Sequence, residues 1–279
     1  MKIYPHLITA AELAAYSAAD DFVIFDSRFD LSDPDRGYKS YRDAHIPGAV
    51  YAHLDQHLSS AITPASGRHP LPDAWQLIRW LSASGVGADT QVIVYDDSFG
   101  TMAARLWWLL KWLGHNAVAL LDGGYQAWQK NGLTLATRNE LTEVSSFHGQ
   151  PIDALVLSTD ELQQHIGSLP FRLIDVRTAE RFLGINEPID PVAGHIPGAI
   201  NIPLTQNINA QGYFKSPQEL ALQYADSRQS AQAVMCGSGV TAAHTVFAMS
   251  YAGLPMPRLY AGSWSEWIRD ASRPIAKDQ

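Results

Sequence analysis

The chain has one cysteine in 279 residues, fewer basic than acidic side chains, and no long hydrophobic run. With Cys236 as the only thiol, an intramolecular disulfide, a thiolate zinc site and a C-x-x-C redox pair are all excluded. That residue is then either a small buried hydrophobe or a lone reactive thiol. The 20 Lys plus Arg stand against 28 Asp plus Glu, a formal charge of −8, and no Lys/Arg block interrupts that balance. Sequence-independent binding to phosphates needs clustered cations, so a nucleic-acid partner is not expected. No stretch approaches the roughly 20 apolar residues of a membrane span. The N-terminal stretch is broken by Pro5, His6 and Glu12 and lacks the apolar core of a secretory signal. The expectation is a soluble cytoplasmic protein with no membrane partner. An apolar content of 46% with 20 Gly and 16 Pro fits one large domain or two medium ones.

An internal repeat decides between those. AHIPGAV at 44–50 recurs as GHIPGAI at 194–200, an offset of 150 residues. Upstream of each copy is an apolar run ending in Asp-x-Arg, FVIFDSR at 22–28 and FRLIDVR at 171–177. Downstream, LLDGGYQAW at 120–128 is echoed by LYAGSWSEW at 259–267. Three matched landmarks in one order indicate a duplicated domain. FVIFD, QVIVYD and AVALL read as strands, rich in Val, Ile and aromatics. AWQLIRWLSASG and MAARLWWLLKWLG read as helices closed by Gly85 and Gly114. Strands alternating with helices predict an α/β fold, two tandem domains each with a mainly parallel sheet covered on both faces. The expected boundaries are 1–134 for the first domain, 135–156 for a polar linker and 157–279 for the second.

The segment AVMCGSGVTAAHTVFAM carries the most chemistry. An apolar strand ends at Met235, Cys236 follows, two glycines flank Ser238, and an amphipathic helix is expected from about Val240. Ligands of open α/β sheets bind beyond the carboxyl ends of strands. A glycine-rich turn into a helix N-terminus directs N–H groups and a positive dipole end at whatever lies there. Both favour a thiolate, the reactive form of cysteine. Arg28 and Arg177 close equivalent strands and read as structural ion pairs. His45 and His195 read as turn residues, and the Trp-rich helix at 107–112 as core. There is no phosphate-binding P-loop, dinucleotide fingerprint or metal-spaced His/carboxylate cluster.

Together these motifs resemble the tandem-domain rhodanese family of sulfurtransferases. Tyr41-x-x-x-His45-Ile46-Pro47-Gly48-Ala49 fits its first signature, and Gly262-Ser263-Trp264-Ser265-Glu266-Trp267 the core of its C-terminal one. The resemblance spans nearly the whole chain. It implies that the second domain forms a persulfide on Cys236, while the first is silent, with Asp96 or Asp97 in the cysteine position. The loop Cys236-Gly237-Ser238-Gly239-Val240-Thr241-Ala242 is similar to that of 3-mercaptopyruvate sulfurtransferases; thiosulfate-preferring relatives usually carry basic residues there. Asp55-Gln56 and His69-Pro70-Leu71-Pro72 match further elements of that branch. The resemblance implies a Ser238, His69, Asp55 relay for the proton, with Asp55 and His69 from the silent domain. Arg181 is the implied carboxylate ligand, and Gly237, Gly239, Val240 and Thr241 would cradle substrate and persulfide with their amides. His69 reads otherwise as a solvated loop residue, Asp55 as a turn cap and Ser238 as a bend. The implied partners are a small-molecule sulfur donor and a thiol acceptor, such as thioredoxin or a low-molecular-weight thiol, or cyanide. No metal or organic cofactor is implied.

One position departs from the pattern. Mercaptopyruvate enzymes carry a second arginine nine residues after the first, and here that residue is Asp190. Thiosulfate-type members often have an acid there, so thiosulfate sulfurtransferase is the alternative activity unless Arg68 or another base replaces the cation. A non-enzymatic persulfide carrier is the alternative outside enzymes. A rhodanese-related phosphatase or arsenate reductase needs an arginine six residues after the cysteine, where this chain has Ala242.

Overall fold

The computed structural model describes residues 3–16, 21–138, 143–225 and 231–277. In chain order its elements are β1 (Leu7–Ile8), α1 (Ala10–Ala14), β2 (Phe22–Asp26), α2 (Arg36–Asp43), β3 (Ala49–Tyr51), α3 (Leu54–His57), α4 (Ala74–Ala83), β4 (Gln91–Tyr95), α5 (Ala103–Trp112), β5 (Val118–Leu121) and α6 (Gly124–Lys130). After these come α7 (Thr159–Gln164), β6 (Arg172–Asp175), α8 (Ala179–Leu183), β7 (Ala199–Asn201), α9 (Pro217–Gln223), β8 (Gln232–Met235), α10 (Ala242–Tyr251), β9 (Arg258–Leu259) and α11 (Ser263–Trp267).

The chain divides into two compact units, and the division is not a single cut in the sequence. The first comprises Met1–Ser60, Pro72–Ile152 and Ala210–Phe214; the second comprises Ala61–Leu71, Asp153–Asn209 and Lys215–Gln279. Segment 61–71, inside the first copy by sequence, therefore belongs with the second unit.

Each unit is built on a parallel sheet. The first has the order β1-β5-β4-β2-β3, the second β7-β6-β8-β9, and every pairing is parallel. The central strands β4 and β8 are buried along their whole length, which is why they read as continuous apolar runs rather than alternating ones. α4 is opened by the Asp73 side chain, which accepts from the Gln76 amide, and it ends before Gly85 at φ +89°. Gly114, at φ +86°, stops α5 in the same left-handed way.

The Trp-rich helix is core: Trp107, Trp108 and Trp112 are all buried. α10 differs from its expected amphipathic character, being buried from Ala242 through Met249 and starting two residues later than Val240. A helix packed on all sides has no polar face to supply the period. The expected linker is divided between the units: up to Ile152 its described residues belong to the first, and Asp153–Val156 belong to the second, where Val156 bridges Leu259. Ser145, Phe147, Gln150 and Ile152 donate their amides to Ser82 O, Ser82 Oγ, Leu113 O and Trp112 O respectively. Residues 139–142 of that linker lie outside the described residues.

The repeated Asp-x-Arg pairs are buried structural braces. Arg28 binds the Asp26 carboxylate through Nε and Nη2, donates to Ala44 O at 2.7 Å and stacks over Tyr125. Arg177 repeats this with Asp175, Gly194 O at 2.7 Å and the Trp264 ring. His45 and His195 each bond a carbonyl through Nδ1, of Tyr41 and Phe182, and stack on the same residue's ring.

Candidate active site

Cys236 follows directly on β8 and is 2% exposed. Its amide donates to Ser263 Oγ at 3.1 Å and its carbonyl accepts from Trp264 N at 3.1 Å, while Gly237 O accepts from Ser265 N at 2.8 Å. These bonds stitch the start of the loop to α11. The Gly239 amide then turns back to donate to Cys236 Sγ at 3.2 Å, giving the sulfur a donor that stabilises negative charge. Only glycine fits there: φ is +75°, and a β-carbon would stand 2.2 Å from Ala261 O. Val240 and Thr241 carry the chain into α10, their carbonyls accepting from Ala243 and His244.

The first unit shows the same loop around a different side chain. β4 ends at Tyr95, so Asp96 rather than Asp97 takes the cysteine position. Its buried carboxylate accepts four backbone amides, from Ser98, Gly100, Met102 and Ala103, each at 2.8 Å. The path matches too, with Phe99 at φ +61° opposite Gly239.

Ser263 is a site residue that sequence analysis missed. It is fully buried and holds φ +54°, and its counterpart Gly124 holds φ +59°. Its hydroxyl donates to Tyr260 O at 2.8 Å while accepting from the Cys236 amide. The available signal was the Gly-to-Ser mismatch between otherwise aligned motifs.

His69 and Ser238 are buried together, with His69 Nδ1 2.8 Å from Ser238 Oγ. The strap carrying His69 is fixed by Ser66 O, which accepts from Arg269 Nε at 3.0 Å, and by the Arg68 amide, which donates to Ser265 Oγ at 3.0 Å. His69 is therefore a packed residue and not a solvated loop histidine. Asp55 lies on α3 in the first unit, where its amide donates to His53 Nδ1 at 3.1 Å. Burial pushes its carboxyl up, against the opposing pull of His53.

Arg181 projects from α8 toward the loop: a β-carbon on Gly237 would lie 3.3 and 3.5 Å from its Nη2 and Nη1, and 2.9 Å from Arg68 Nη2. Glu187 binds Arg181 Nε at 3.0 and 2.9 Å and Arg177 Nη1 at 3.2 Å. Burial opposes the charge of Glu187, but the Arg181 and backbone hydrogen bonds outweigh it and hold the carboxyl below its usual range. Asp190 joins Arg68 Nη1 through one oxygen and Arg181 Nη2 through the other, the latter at 3.1 Å. Burial, joined by repulsion from Glu187, pushes its carboxyl up against the pull of Arg68 and Arg181. Within the second unit the structure thus brings together Cys236, Gly237, Ser238, Gly239, Val240, Thr241, His69 and Arg181, and adds Arg68.

Residues 9–131 and 158–270 both match the family model of the Rhodanese-like domain. The chain is 46% identical over 276 residues to a Pseudomonas aeruginosa protein named probable 3-mercaptopyruvate sulfurtransferase, covering 97% of each. It is 31% identical to the thiosulfate sulfurtransferase of Rattus norvegicus over 84% of this chain and 80% of that one. Its fold superposes with a TM-score of 0.82 on the crystal structure of Escherichia coli SseA, a 3-mercaptopyruvate sulfotransferase, at 30% identity over 94% of this chain and 100% of that one. A lone thiol on one of two equivalent strand ends, with a carboxylate on the other, is thus explained by descent: the chain belongs to the rhodanese family and carries two rhodanese-like domains in tandem.

Proposed function

We propose that the protein is a 3-mercaptopyruvate sulfurtransferase working through a Cys236 persulfide. The observation that carries this is the buried Cys236 sulfur, with the Gly239 amide on it and Ser238 of the same loop paired with His69. The Cys236 thiolate attacks the donor's sulfur, forming the S–S bond. The C–S bond breaks, its electron pair leaves with carbon as the enolate of pyruvate, and the thiol proton passes to that carbon through Ser238 and His69. Thiolate and mercaptopyruvate thus become persulfide anion and pyruvate with atoms and charge conserved. Arg181 holds the donor's carboxylate by charge-assisted hydrogen bonds, and the loop amides of Gly237, Gly239, Val240 and Thr241 hold the persulfide. A third relay place for Asp55 rests on its motif alone. The persulfide then passes its outer sulfur to a thiol, such as thioredoxin or a small thiol, or to cyanide.

The experiment is a side-by-side assay of purified protein with 3-mercaptopyruvate and thiosulfate, reading pyruvate or sulfite release together with the intact mass of Cys236. Pyruvate release with a mass gain of one sulfur atom is expected, and both vanish in Cys236→Ser. Turnover of thiosulfate alone would overturn the donor assignment, and sulfur loading without donor turnover would favour a carrier. Full sulfur transfer by Cys236→Ser would overturn the mechanism, because the chain has no second thiol.

A further inference from the structure

We propose that Arg68 and Arg181 form a two-guanidinium fork that takes the donor's carboxylate, and that Asp190, at the place where a second arginine was expected, is the residue that positions the fork. The inference rests on the mercaptopyruvate reading above.

The argument is one of hydrogen-bond accounting. Arg68 Nη1 is used by Asp190. Arg181 Nε is used by Glu187, and its Nη2 is shared between Glu187 at 2.9 Å and Asp190 at 3.1 Å. Among the described residues, Arg68 Nη2 and Arg181 Nη1 are left with no bond, and these nitrogens face Gly237 at 2.9 and 3.5 Å from where its β-carbon would stand. Two guanidinium groups with free N–H edges beside the residue after the nucleophile offer one donor to each oxygen of a planar carboxylate. Glycine at 237 leaves that approach open.

The fork is held before any substrate arrives. The Arg68 backbone is bonded to Ser265 Oγ, and the next residue, His69, is bonded to Ser238. Its head is held by Asp190, whose amide donates to Glu187 Oε1 at 3.1 Å, and Glu187 in turn binds Arg177. Three arginines, 68, 177 and 181, are matched by Asp175, Glu187 and Asp190, so the formal charge of the cluster is zero. Selection then comes from directed hydrogen bonds more than from a net positive field, which suits a planar monoanion.

The test measures kcat and KM with 3-mercaptopyruvate and, on the Cys236→Ser background, calorimetric binding of pyruvate as a carboxylate probe. Arg68→Ala should raise KM and the pyruvate Kd by roughly 10- to 100-fold with kcat nearly unchanged, the loss of one charge-assisted bond. Arg68→Lys should restore only part of this, because a point charge does not reproduce the planar fork. Asp190→Ala should raise both constants although it removes a negative charge; a fall would identify Asp190 as a competitor and overturn its positioning role. Discharge of a persulfide loaded from inorganic polysulfide to a neutral thiol should be unaffected in Arg68→Ala; a parallel loss would mean a merely structural role. Wild-type turnover of mercaptopyruvate with unchanged constants in Arg68→Ala overturns the fork, whereas absence of wild-type turnover overturns the donor reading instead.

Discussion

Ser263 sets two physical demands against each other, and replacing it separates them. The residue holds φ +54° with no exposure to solvent, in the conformation that its counterpart Gly124 adopts freely. For a residue with a β-carbon this costs roughly 1–2 kcal/mol. Its hydroxyl in return accepts from the Cys236 amide at 3.1 Å, and an orphaned buried amide costs about 1–3 kcal/mol. Ser263→Ala keeps the strain and loses the bond, so a loss of about 2–3 kcal/mol is expected. Ser263→Gly loses the same bond but relaxes the backbone, and after glycine's larger unfolded-state entropy it should be about 1 kcal/mol better than alanine. Urea unfolding, followed through the transition of the second unit with slopes compared, measures this difference. Sulfur transfer should behave otherwise, falling by a similar factor in both variants because the anchor of the Cys236 amide is gone from each. Stability would follow the backbone, and activity the hydroxyl. A glycine variant no more stable than alanine, or both variants within about 0.5 kcal/mol of wild type, would refute this account of the strain.

Three further outcomes follow from particular contacts. Gly239→Ala places a β-carbon against Ala261 O at 2.2 Å in a positive-φ residue, so the loop must move and remove its amide from the sulfur. Single-turnover persulfide formation should drop about 100-fold or more, a loss on the scale of one oxyanion-hole donor, and near-wild-type rates would contradict the geometry. In the first unit, Asp96→Ala strips the acceptor from four amides and should destabilise that unit by about 3 kcal/mol, less than four separate bonds because burying the carboxylate carried its own penalty; a change below about 1 kcal/mol in its thermal or urea transition would contradict this. His57 is held neutral, its pKa lowered from 6.5 to about 4 first by burial and then by His53, and its Nδ1 accepts the His53 amide at 3.0 Å. Since the unfolded chain takes up this proton first, the contribution is complete above about pH 6.5 and is lost as pH falls toward the folded value, on the order of 3 kcal/mol in all. His57→Phe should flatten that part of the stability profile between pH 7 and 4.5, and an unchanged slope would show that another group is responsible.

The sheets were legible because buried parallel strands leave a local mark: FVIFD and QVIVY are uninterrupted β-branched and aromatic runs, and the observed strands coincide with them. Duplication made the rest of the frame readable, since each landmark could be checked against its copy. What local pattern could not give was which piece of chain packs where. Segment 61–71 carries no periodicity that marks it as part of the second unit, yet it delivers both Arg68 and His69 to the cysteine loop. Asp190 illustrates the same limit. On sequence alone it is an unwanted negative charge at the place of an arginine, and only its two guanidinium partners, 122 and nine residues away along the chain, show that the charge is already matched. α10 misled for a simpler reason: a helix buried on every side has no amphipathic face to read.

The first copy also bears on the persulfide proposed for Cys236. An aspartate places its negative oxygens two bonds beyond the β-carbon, and a cysteine persulfide places its terminal sulfur two bonds beyond the same atom. In the first unit the charge at that distance collects the amides of Ser98, Gly100, Met102 and Ala103. By alignment of the two loops the same places in the second unit are Ser238, Val240, Ala242 and Ala243, where the Ala243 amide is instead bonded to Val240 O at 3.2 Å, and the left-handed residues Phe99 and Gly239 coincide. With a bare thiolate the charge sits one bond closer to the backbone, where the Gly239 amide meets it. Adding sulfur moves the charge outward, to the distance at which the first copy's amides converge on Asp96. On the mechanism proposed above, the charge of a Cys236 persulfide would lie at the distance from the β-carbon at which the first copy's loop amides hold the Asp96 carboxylate.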